Sequence, residues 1–461
     1  MVGTTRSDII RTVNPATGEH LSAYELHSPA EVDELLREAM RAFTAWSTVP
    51  VPGRVALLQN LAVSLRRERS CLASLITAEM GKTIVEAEAE IEKCAWACDY
   101  YAQHAPTQLG PQLVETGAQR SYVAHRPLGC VLAIMPWNFP FFQVVRFAVP
   151  ALCAGNVVLL KHAGNVTGCG LALEGVFREA GFPPGSFTAL VVRASAIEGL
   201  LADPRVAAVT LTGSEPAGSA VAATAGRYLK KSVLELGGSD AYIVLKDADV
   251  EAAAATAVRA RFQNCGQSCI AAKRFLIEAP LYDEFCAAFV EGVRAINVGD
   301  PMDRRVTMGP LARRDLVDEL ERQVEESARA GARIVAGGKR IPGPGAFYEP
   351  TIVADVHPEV AMFREETFGP AAAIMRARNA DEAISLANAT IFGLGNSVWT
   401  RDSSVAERVA ARLQSGLVFF NGMVASDPRL PFGGTKKSGY GRELAQFGLW
   451  EFTNAQTVSI A

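Results

Sequence analysis

Two patterns of hydrophobic and polar residues alternate along the chain. Segments rich in Ala, Glu and Arg carry apolar residues at helical spacing, whereas short runs of Val, Ile and Leu show little polar alternation. Strands buried on both faces have this second pattern, and their alternation with helices favours a parallel α/β architecture. Residues 28–105 predict helices almost throughout, at 29–46, 53–69 and 71–101, the last broken near Gly81.

The regular alternation of strands and helices begins just after Gly129. The pattern predicts strands at 130–135, 157–161, 188–192 and 207–212, separated by helices, with a further helix starting near Pro216. A βαβ series of this kind binds dinucleotides. A second series begins near Ser239, with strands at 242–245, 274–277, 333–337 and 371–375 and a helix at 250–262. Ahead of both, residues 112–126 predict a strand pair that leaves the main body.

Composition indicates a globular protein of more than one domain. The 461 residues are too many for a single hydrophobic core, and 49% hydrophobic and 20% charged residues are ordinary values. The net charge of −4 provides no basic field for nucleic acid or anionic lipid. The apolar stretch 141–160 contains Arg146, Pro150 and Gly155, so it predicts a buried helix followed by a strand and not a membrane span.

The cysteines and the start of the chain indicate a reduced compartment. Nine cysteines are scattered without paired spacing, which suggests neither a zinc site nor a disulfide framework. The first residues lack a basic segment followed by an apolar core, so no signal peptide is expected. The sequence therefore predicts a cytoplasmic protein without a metal site.

Cys269 is the candidate nucleophile. It ends the segment 264–269, where a helix stops and a strand begins, and small residues leave backbone N–H groups accessible. A thiol there becomes a nucleophile when backbone dipoles or a nearby cation stabilise its thiolate. A buried structural cysteine is the commoner case, so the segment alone leaves both interpretations open.

Two further side chains could act with this thiol. Glu235 lies in an apolar run beside two glycines, where burial would raise its pKa towards the range of a general base; an ion-paired glutamate at a strand end is the alternative. Asn138 lies between Pro136 and Pro140 in a turn that fixes its amide, and a fixed N–H₂ group suits an oxyanion. An ordinary turn asparagine is the alternative there.

The cofactor signal is the segment 210–218, which follows a strand and opens a helix, so that its N–H groups could meet a pyrophosphate. It is not a GxGxxG motif and is weak by itself. Lys161 ends another strand of the same predicted sheet and could reach a ribose or a phosphate, unless it is simply an exposed lysine at a strand end.

Together these segments resemble the aldehyde dehydrogenase superfamily, over nearly the whole chain. The resemblance lies in six motifs in the right order and spacing, at 136–140, 212–214, 235–238, 266–269, 365–370 and 431–434. It implies two Rossmann-type parallel α/β domains and a small β oligomerisation arm. The implied bounds are 1–108 with 128–234 for the dinucleotide-binding domain, 235–435 for the catalytic domain, and 109–127 with 446–461 for the arm.

The resemblance also implies roles for individual residues. Cys269 matches the nucleophile, Glu235 the general base and Asn138 the oxyanion donor, in a cycle of thiohemiacetal, thioester and acid product. The residues implied to bind NAD or NADP are Met135, Pro136, Trp137, Lys161, Ala163, Gly164, Gly213, Ser214, Leu236, Glu366 and Phe368. Relatives that prefer NAD often carry glutamate where this chain has Gly164, so the sequence predicts use of both cofactors, with NADP at least competitive.

Within the superfamily the chain is most similar to short bacterial succinate-semialdehyde dehydrogenases. The implied substrate-binding residues are Phe142, Arg146, Gln263, Ser268 and Ser426. Arg146 matches an arginine that binds the substrate carboxylate in relatives, and a salt bridge to an internal carboxylate is its alternative role. A second arginine of relatives is replaced by Gln263, and Asp427 stands where they have serine. Arg429 could compensate for Asp427.

Three alternative functions follow from the same residues. A broader aliphatic or semialdehyde dehydrogenase is consistent with the loss of one cation. A thiol esterase has no need of the segments 212–214 and 366–368, and a dehydrogenase that acylates coenzyme A can dispense with Glu235. Cys265 is predicted to be a small apolar filler, with an inhibitory disulfide as the alternative. The arm implies a homodimer or homotetramer, because exposed strand edges invite association.

Overall fold

The structure is a computed structural model that describes residues 9–461. The opening segment, in which no signal peptide is expected, lies outside the described residues. None of the helices in the described range is both long and apolar enough to cross a membrane.

The helices of the described chain are α1 Pro29–Trp46, α2 Val51–Arg67, α3 Arg69–Met80, α4 Ile84–Gln108, α5 Phe142–Ala154, α6 Thr167–Glu179, α7 Ile197–Ala202, α8 Glu215–Arg227, α9 Val250–Phe262, α10 Tyr282–Arg294, α11 Arg314–Arg329, α12 Ala361–Arg364, α13 Ala380–Asn388, α14 Ser403–Ala410 and α15 Ala445–Glu451.

The strands are β1 Ile9–Val13, β2 His20–Glu25, β3 Gln112–Leu113, β4 Arg120–Pro127, β5 Cys130–Met135, β6 Val157–His162, β7 Phe187–Ala189, β8 Val206–Thr212, β9 Lys231–Glu235, β10 Asp240–Val244, β11 Ala272–Glu278, β12 Arg333–Ala336, β13 Thr351–Ala354, β14 Ala371–Ala377, β15 Phe392–Gly393, β16 Gly395–Trp399, β17 Leu417–Phe420, β18 Thr435–Lys436, β19 Gly439–Tyr440 and β20 Thr453–Ile460.

The predicted break near Gly81 separates two helices, α3 and α4. Gly81 ends α3 in the left-handed conformation, with φ 87°, which costs glycine little. The next helix starts at the N-cap Thr83, whose side chain accepts a hydrogen bond from the Glu86 N–H. The 25-residue helix α4 therefore starts in a fixed direction and runs past the turn that follows β5.

The first large sheet has the order β19-β9-β8-β5-β6-β7. Its five strands from β9 to β7 are parallel, and β19 adds an antiparallel edge. The chain runs outward from β5 to β6 and β7, then returns to β8 on the other side. The carboxyl ends of β5 and β8 therefore form a topological switch point, where ligands bind in open α/β sheets.

The second large sheet has the order β12-β13-β14-β11-β10-β16-β17. All pairings in it are parallel except that of β12 with β13. Each large sheet has its own hydrophobic core. The α/β fold with two Rossmann-like sheets is thus as expected, while the exact domain bounds stay a prediction.

Some elements differ from the sequence-based expectation. The predicted strand 188–192 is shorter and earlier, since β7 ends at Ala189. The hairpin of β1 and β2 and the strands β13, β16 and β17 were not predicted. The polar alternation of β2 and the serine and asparagine inside β16 hide the apolar runs used to predict buried strands.

A smaller antiparallel sheet, β20-β4-β3, stands beside the two large ones. The strand β20 pairs with β4 along its whole length, from Thr453 opposite Pro127 to Ile460 opposite Arg120. The strand β3 is exposed, with Leu113 74% accessible. The two large sheets meet where the loop between α9 and β11 touches the turn after β5, through hydrogen bonds between Asn138 and residues 264 and 267.

Candidate active site

The turn after β5 is held from two sides. On one side, Glu90 of α4 accepts hydrogen bonds from the N–H groups of Phe141 (2.8 Å) and Phe142 (3.0 Å), and its other oxygen contacts the buried ammonium of Lys82. On the other side, His162 at the end of β6 is within 2.8 Å of the Pro140 carbonyl through Nε2. Burial lowers the pKa of His162 to about 4, so the ring is neutral and Nε2–H donates. The turn is thereby fixed independently of any ligand.

The amide of Asn138 has a defined orientation. Its Nδ2 donates to the Gln267 carbonyl at 3.0 Å, which can only accept, and its Oδ1 accepts from Gln143 Nε2 at 3.1 Å. Asn264 Nδ2 also donates to the Asn138 carbonyl at 2.9 Å. Asn138 therefore presents N–H₂ and not oxygen to the loop that carries Cys269.

The loop before Cys269 adopts a conformation that L residues rarely take. Asn264, Cys265 and Gly266 all have positive φ, at 56°, 54° and 70°. Side chains larger than glycine are excluded at 266, because a Cβ there would lie 2.3 Å from the Gly369 carbonyl oxygen. Glu86 of α4 accepts the Asn264 N–H at 2.7 Å and helps to hold the loop. Conformations of this kind persist only where the surroundings over-determine them, and they cluster at functional sites.

Cys269 lies in an environment that disfavours the free thiolate. Burial raises the pKa of its thiol to about 12, although the positive charges of Arg146 and Lys273 act in the opposite direction. Lys273 also holds the backbone, since its Nζ donates to the carbonyl of Cys269 at 2.7 Å and lies 3.1 Å from Glu366. The thiol is therefore protonated near neutral pH, and a protonated thiol needs a base before it can act as a nucleophile.

Glu235 is the buried carboxyl group that the sequence predicts to be a general base. It ends β9 beside Thr212 of β8, is 2% exposed, and neither of its oxygens has a hydrogen-bond partner among residues 9–461. Burial raises its pKa well above the ordinary value, Glu443 raises it further, and Arg146 opposes both. A carboxylate with a raised pKa is, once ionised, a stronger base than an exposed glutamate.

Cys269 stands where two cavities meet. We call the larger one, of about 360 Å³, the cleft, and the smaller one, of about 90 Å³, the inner cavity. Both are lined by Cys269 and Gln143. The cleft is also lined by Pro136, Trp137, Asn138, Thr212, Gly213, Ser214, Leu236, Gly237, Arg313, Leu316, Glu366 and Phe368.

The cleft fits a dinucleotide. It opens at the switch point between β5 and β8, where the helix α8 begins after its N-cap residue Ser214, whose side chain makes no capping hydrogen bond. The Thr212 hydroxyl is buried without a partner in the described chain. Uncapped amides at a helix start favour a phosphate, and a nearby unpaired hydroxyl can serve a polar ligand.

The predicted cofactor residues divide into two groups. Seven line the cleft, namely Pro136, Trp137, Gly213, Ser214, Leu236, Glu366 and Phe368. The others, Met135, Lys161, Ala163 and Gly164, lie outside its lining, at or just beyond the carboxyl ends of β5 and β6. Within the described residues the Lys161 ammonium has no hydrogen bond or ion pair, and burial lowers its pKa. Arg313 and Leu316 line the cleft too and were not predicted.

All five predicted substrate residues line the inner cavity: Phe142, Arg146, Gln263, Ser268 and Ser426. The guanidinium of Arg146 contacts the buried carboxylate of Glu443 and lies 4.5 Å from the Phe432 ring. The internal salt bridge that the sequence analysis named as an alternative is therefore present, and the arginine still borders the cavity.

The inner cavity contains a second cation, Lys93, which was not predicted from the sequence. Lys93 belongs to α4, far along the chain from every motif, and no local pattern marks it. Asp427 does not line the cavity, and Arg429 pairs with it at 2.6 Å on the surface. Cys265 is buried as a free thiol, as expected for a filler, and burial raises its pKa.

Comparison with known proteins gives matches along nearly the full length. A sequence profile of the aldehyde dehydrogenase family matches residues 2–458. The NADP(+) succinate-semialdehyde dehydrogenase 1 of Mycobacterium tuberculosis is 49% identical, with 98% of this chain and 100% of the relative covered. A probable NADP(+) succinate-semialdehyde dehydrogenase of Synechocystis is 47% identical, over 98% and 100%.

A solved structure agrees with these relatives. Succinic semialdehyde dehydrogenase from Streptococcus pyogenes, in complex with NADP+, superposes with a TM-score of 0.96 at 36% identity and covers 98% of this chain and 99% of that one.

Proposed function

Because this chain belongs to the aldehyde dehydrogenase family, we propose that it oxidises succinic semialdehyde to succinate with NADP⁺, and less efficiently with NAD⁺. One observation carries the proposal: the thiol of Cys269 borders both a cleft that fits a dinucleotide and an inner cavity that contains two cations. The relatives named for succinic semialdehyde and NADP(+) support the choice of substrate and cofactor.

Cys269 and Asn138 carry the first half of the proposed reaction. Glu235 takes the thiol proton, and the sulfur adds to the aldehyde carbon to form a thiohemiacetal. The negative charge develops on the former carbonyl oxygen, where the N–H₂ group of Asn138 and the Cys269 backbone N–H stabilise it. Removing one donor of this kind typically slows a reaction about 10²- to 10³-fold.

Oxidation leaves a thioester on Cys269, which water must hydrolyse. NADP⁺, when bound in the cleft, supplies the two-electron acceptor for that oxidation. Glu235 first releases the thiol proton to solvent and then removes a proton from the attacking water. The C–S bond breaks, the sulfur leaves as a thiolate that takes up the proton held by Glu235, and succinate is released together with the proton of its new carboxyl group. The carboxylate of Glu235 is free for this step because it has no hydrogen bond in the described structure.

Residues from both halves of the chain would hold the cofactor. Gly213 and Ser214 offer backbone amides at the start of α8, and Glu366 and Phe368 border the cleft from the second half of the chain. Gly164 has no negative side chain, and Lys161 is without a partner in the described residues; both features suit an additional phosphate on the ribose.

A panel of aldehydes tests the proposed function. NADPH formation is followed with succinic semialdehyde, glutaric semialdehyde and butanal, each with and without coenzyme A. We expect the highest kcat/KM for succinic semialdehyde and no dependence on coenzyme A. Equal values for succinic semialdehyde and butanal would support a broader aliphatic dehydrogenase, and ester cleavage without reduction of NADP⁺ would support a thiol hydrolase.

We also propose that the protein is a cytoplasmic homodimer or homotetramer. Both edges of the sheet β20-β4-β3 carry exposed apolar residues: Leu113 and Val114 at the β3 edge are 74% and 47% accessible, and Ile460 in β20 is 44% accessible. Apolar residues on strand edges favour association with another chain. Light scattering after gel filtration tests this, and a monomer at micromolar concentration would contradict it.

A further inference from the structure

One face of α4 supplies the active site with three charged side chains. Glu86 holds the Cys269 loop through the Asn264 N–H, and Glu90 holds the turn that carries Asn138. Lys93 follows at the next helical repeat on the same face and enters the inner cavity. The first two side chains are engaged with the backbone of the site, whereas the third faces the space in which a substrate would lie.

Three cations near the inner cavity each contact a carboxylate, whereas Lys93 does not within the described chain. Arg146 contacts Glu443, Lys82 contacts Glu90, and Asp427 contacts Arg429. Lys93 makes no ion pair within residues 9–461. Its ammonium donates to the Ser426 hydroxyl at 2.6 Å and lies 4.5 Å from the centre of the Phe142 ring.

This environment disfavours an unpaired ammonium. Burial lowers the pKa of Lys93 to about 8, and the positive charge of Arg146 lowers it further, while Cys94, Glu90 and Asp427 act in the opposite direction. Taking an ammonium group out of water costs free energy when its only hydrogen-bond acceptor is a neutral hydroxyl. An anion bound beside the ammonium would offset that cost. The ammonium has three N–H donors, and one hydrogen bond to Ser426 leaves two for a ligand.

We propose that Lys93 binds the far carboxylate of the substrate and so selects short aldehydes that end in a carboxylate. Ser426 and Gln263 line the cavity beside it and are the neutral partners of that carboxylate. Lys93 thus replaces the cation that is lost where this chain has Gln263. The inference rests on the proposed function and adds the residue that determines its specificity.

Selection follows from the cost of leaving Lys93 unpaired. The rest of the inner cavity is largely apolar, with Phe142, Ile270, Val424 and Phe432 in its lining. An uncharged aldehyde could fill the apolar part but would leave the ammonium without an anion. A site built to pair a buried polar group rejects ligands that lack the partner.

The test replaces Lys93 by methionine, which keeps most of the apolar stem and removes the charge. We expect kcat/KM for succinic semialdehyde to fall about 10- to 100-fold, mainly through KM, as is typical when a charged hydrogen bond is lost. The kcat/KM for butanal should stay the same or rise. The matched control is Lys339→Met, which removes an exposed ammonium outside the cavity and should change kcat/KM for neither substrate. Equal losses for both aldehydes, or no loss for either, would overturn the inference.

A binding measurement separates this inference from the proposed function. Succinate should raise the Tm of the wild-type protein and should raise that of Lys93→Met much less, because a ligand stabilises the state it binds. Butanol is the neutral control. A wild-type enzyme without preference for succinic semialdehyde would contradict the proposed function, whereas equal succinate shifts in both proteins would contradict the role of Lys93.

The pH dependence gives a signature that a purely structural lysine would not produce. Since the pKa of Lys93 is about 8 in the free protein, KM for succinic semialdehyde should rise as the pH increases above that value. The KM for butanal should not follow this rise, and Lys93→Met should abolish the difference between the two substrates. A difference that persists in the variant would count against Lys93.

Discussion

The cleft and the inner cavity meet at Cys269 but are built in different ways. Half of the residues that line the cleft directly follow strands of the first sheet: Pro136, Trp137 and Asn138 follow β5, Gly213 and Ser214 follow β8, and Leu236 and Gly237 follow β9. The inner cavity is made of side chains from α4, α5, the loop before β11 and the segment 423–432. The cleft thus depends mainly on backbone geometry, and the inner cavity on the balance of side-chain charges.

This difference has a consequence for function. Backbone amides at a helix start bind any phosphate, so the cleft determines the class of cofactor. The inner cavity contains one cation that is tied to a carboxylate and one that is not, Arg146 and Lys93. We therefore expect a change of one side chain there to alter which aldehyde binds without altering the proposed reaction at Cys269.

Replacing Cys269 by alanine removes the atom that the two cavities share and should have the largest effect. We expect kcat to fall on the order of 10⁵-fold for every aldehyde, because the covalent route is lost. NADP⁺ affinity, measured by calorimetry, should stay nearly unchanged, since the cleft does not need the sulfur. The rise in Tm caused by succinate should also stay nearly unchanged in this variant. A large loss of cofactor affinity would show that the two cavities are not independent.

Replacing Glu235 by glutamine should have the next largest effect. The steady-state rate should fall about 10²- to 10⁴-fold, the usual contribution of a general base. The raised pKa of Glu235 means that it is protonated, and inactive as a base, at low pH. Wild-type kcat/KM should therefore rise with pH as Glu235 ionises, and this rise should be absent in the variant. An identical pH profile in both proteins would assign the base to another group.

The same contrast explains what could be predicted from sequence. Cys269, Glu235 and Asn138 lie in short segments whose turns and glycines indicate their conformation, and the cleft residues follow predicted strands. The role of α4 could not be predicted, because Glu86, Glu90 and Lys93 read as the polar face of an amphipathic helix. The partner of Arg146 could not be predicted either, since Glu443 is almost 300 residues away and only the fold brings them together.

Replacing Arg146 by methionine sharpens the comparison between the two cations. It leaves the buried Glu443 without its partner, which should lower the free energy of unfolding by about 3–5 kcal/mol. Because Arg146 also lowers the pKa of Glu235 and Cys269, activity should fall for charged and uncharged aldehydes alike. Chemical denaturation measures the change in the free energy of unfolding, and kcat/KM for succinic semialdehyde and for butanal measures the change in activity.

The double variant Arg146→Met with Glu443→Gln is the control for that change. It removes both charges, so most of the lost stability should return. If Arg146→Met instead impairs only succinic semialdehyde and leaves stability intact, then Arg146 and not Lys93 is the main carboxylate-binding cation.

Replacing Gly164 by glutamate should have the smallest effect, and it acts at the cofactor end alone. A Cβ at this position would lie 3.5 Å from the Ile10 side chain, which is an ordinary contact, so the larger residue can be accommodated. A carboxylate there would repel a ribose phosphate and could pair with Lys161. We expect kcat/KM with NADP⁺ to fall about tenfold, equivalent to about 1.4 kcal/mol, with little change for NAD⁺.

The control variant Gly164→Gln introduces a side chain of nearly the same size without the charge and should keep the wild-type ratio of kcat/KM with NADP⁺ to kcat/KM with NAD⁺. Equal losses with both cofactors, or the same loss in the glutamine variant, would mean that shape and not charge at residue 164 governs the choice. In either outcome the preference for succinic semialdehyde over butanal should stay constant, because residue 164 does not line the inner cavity.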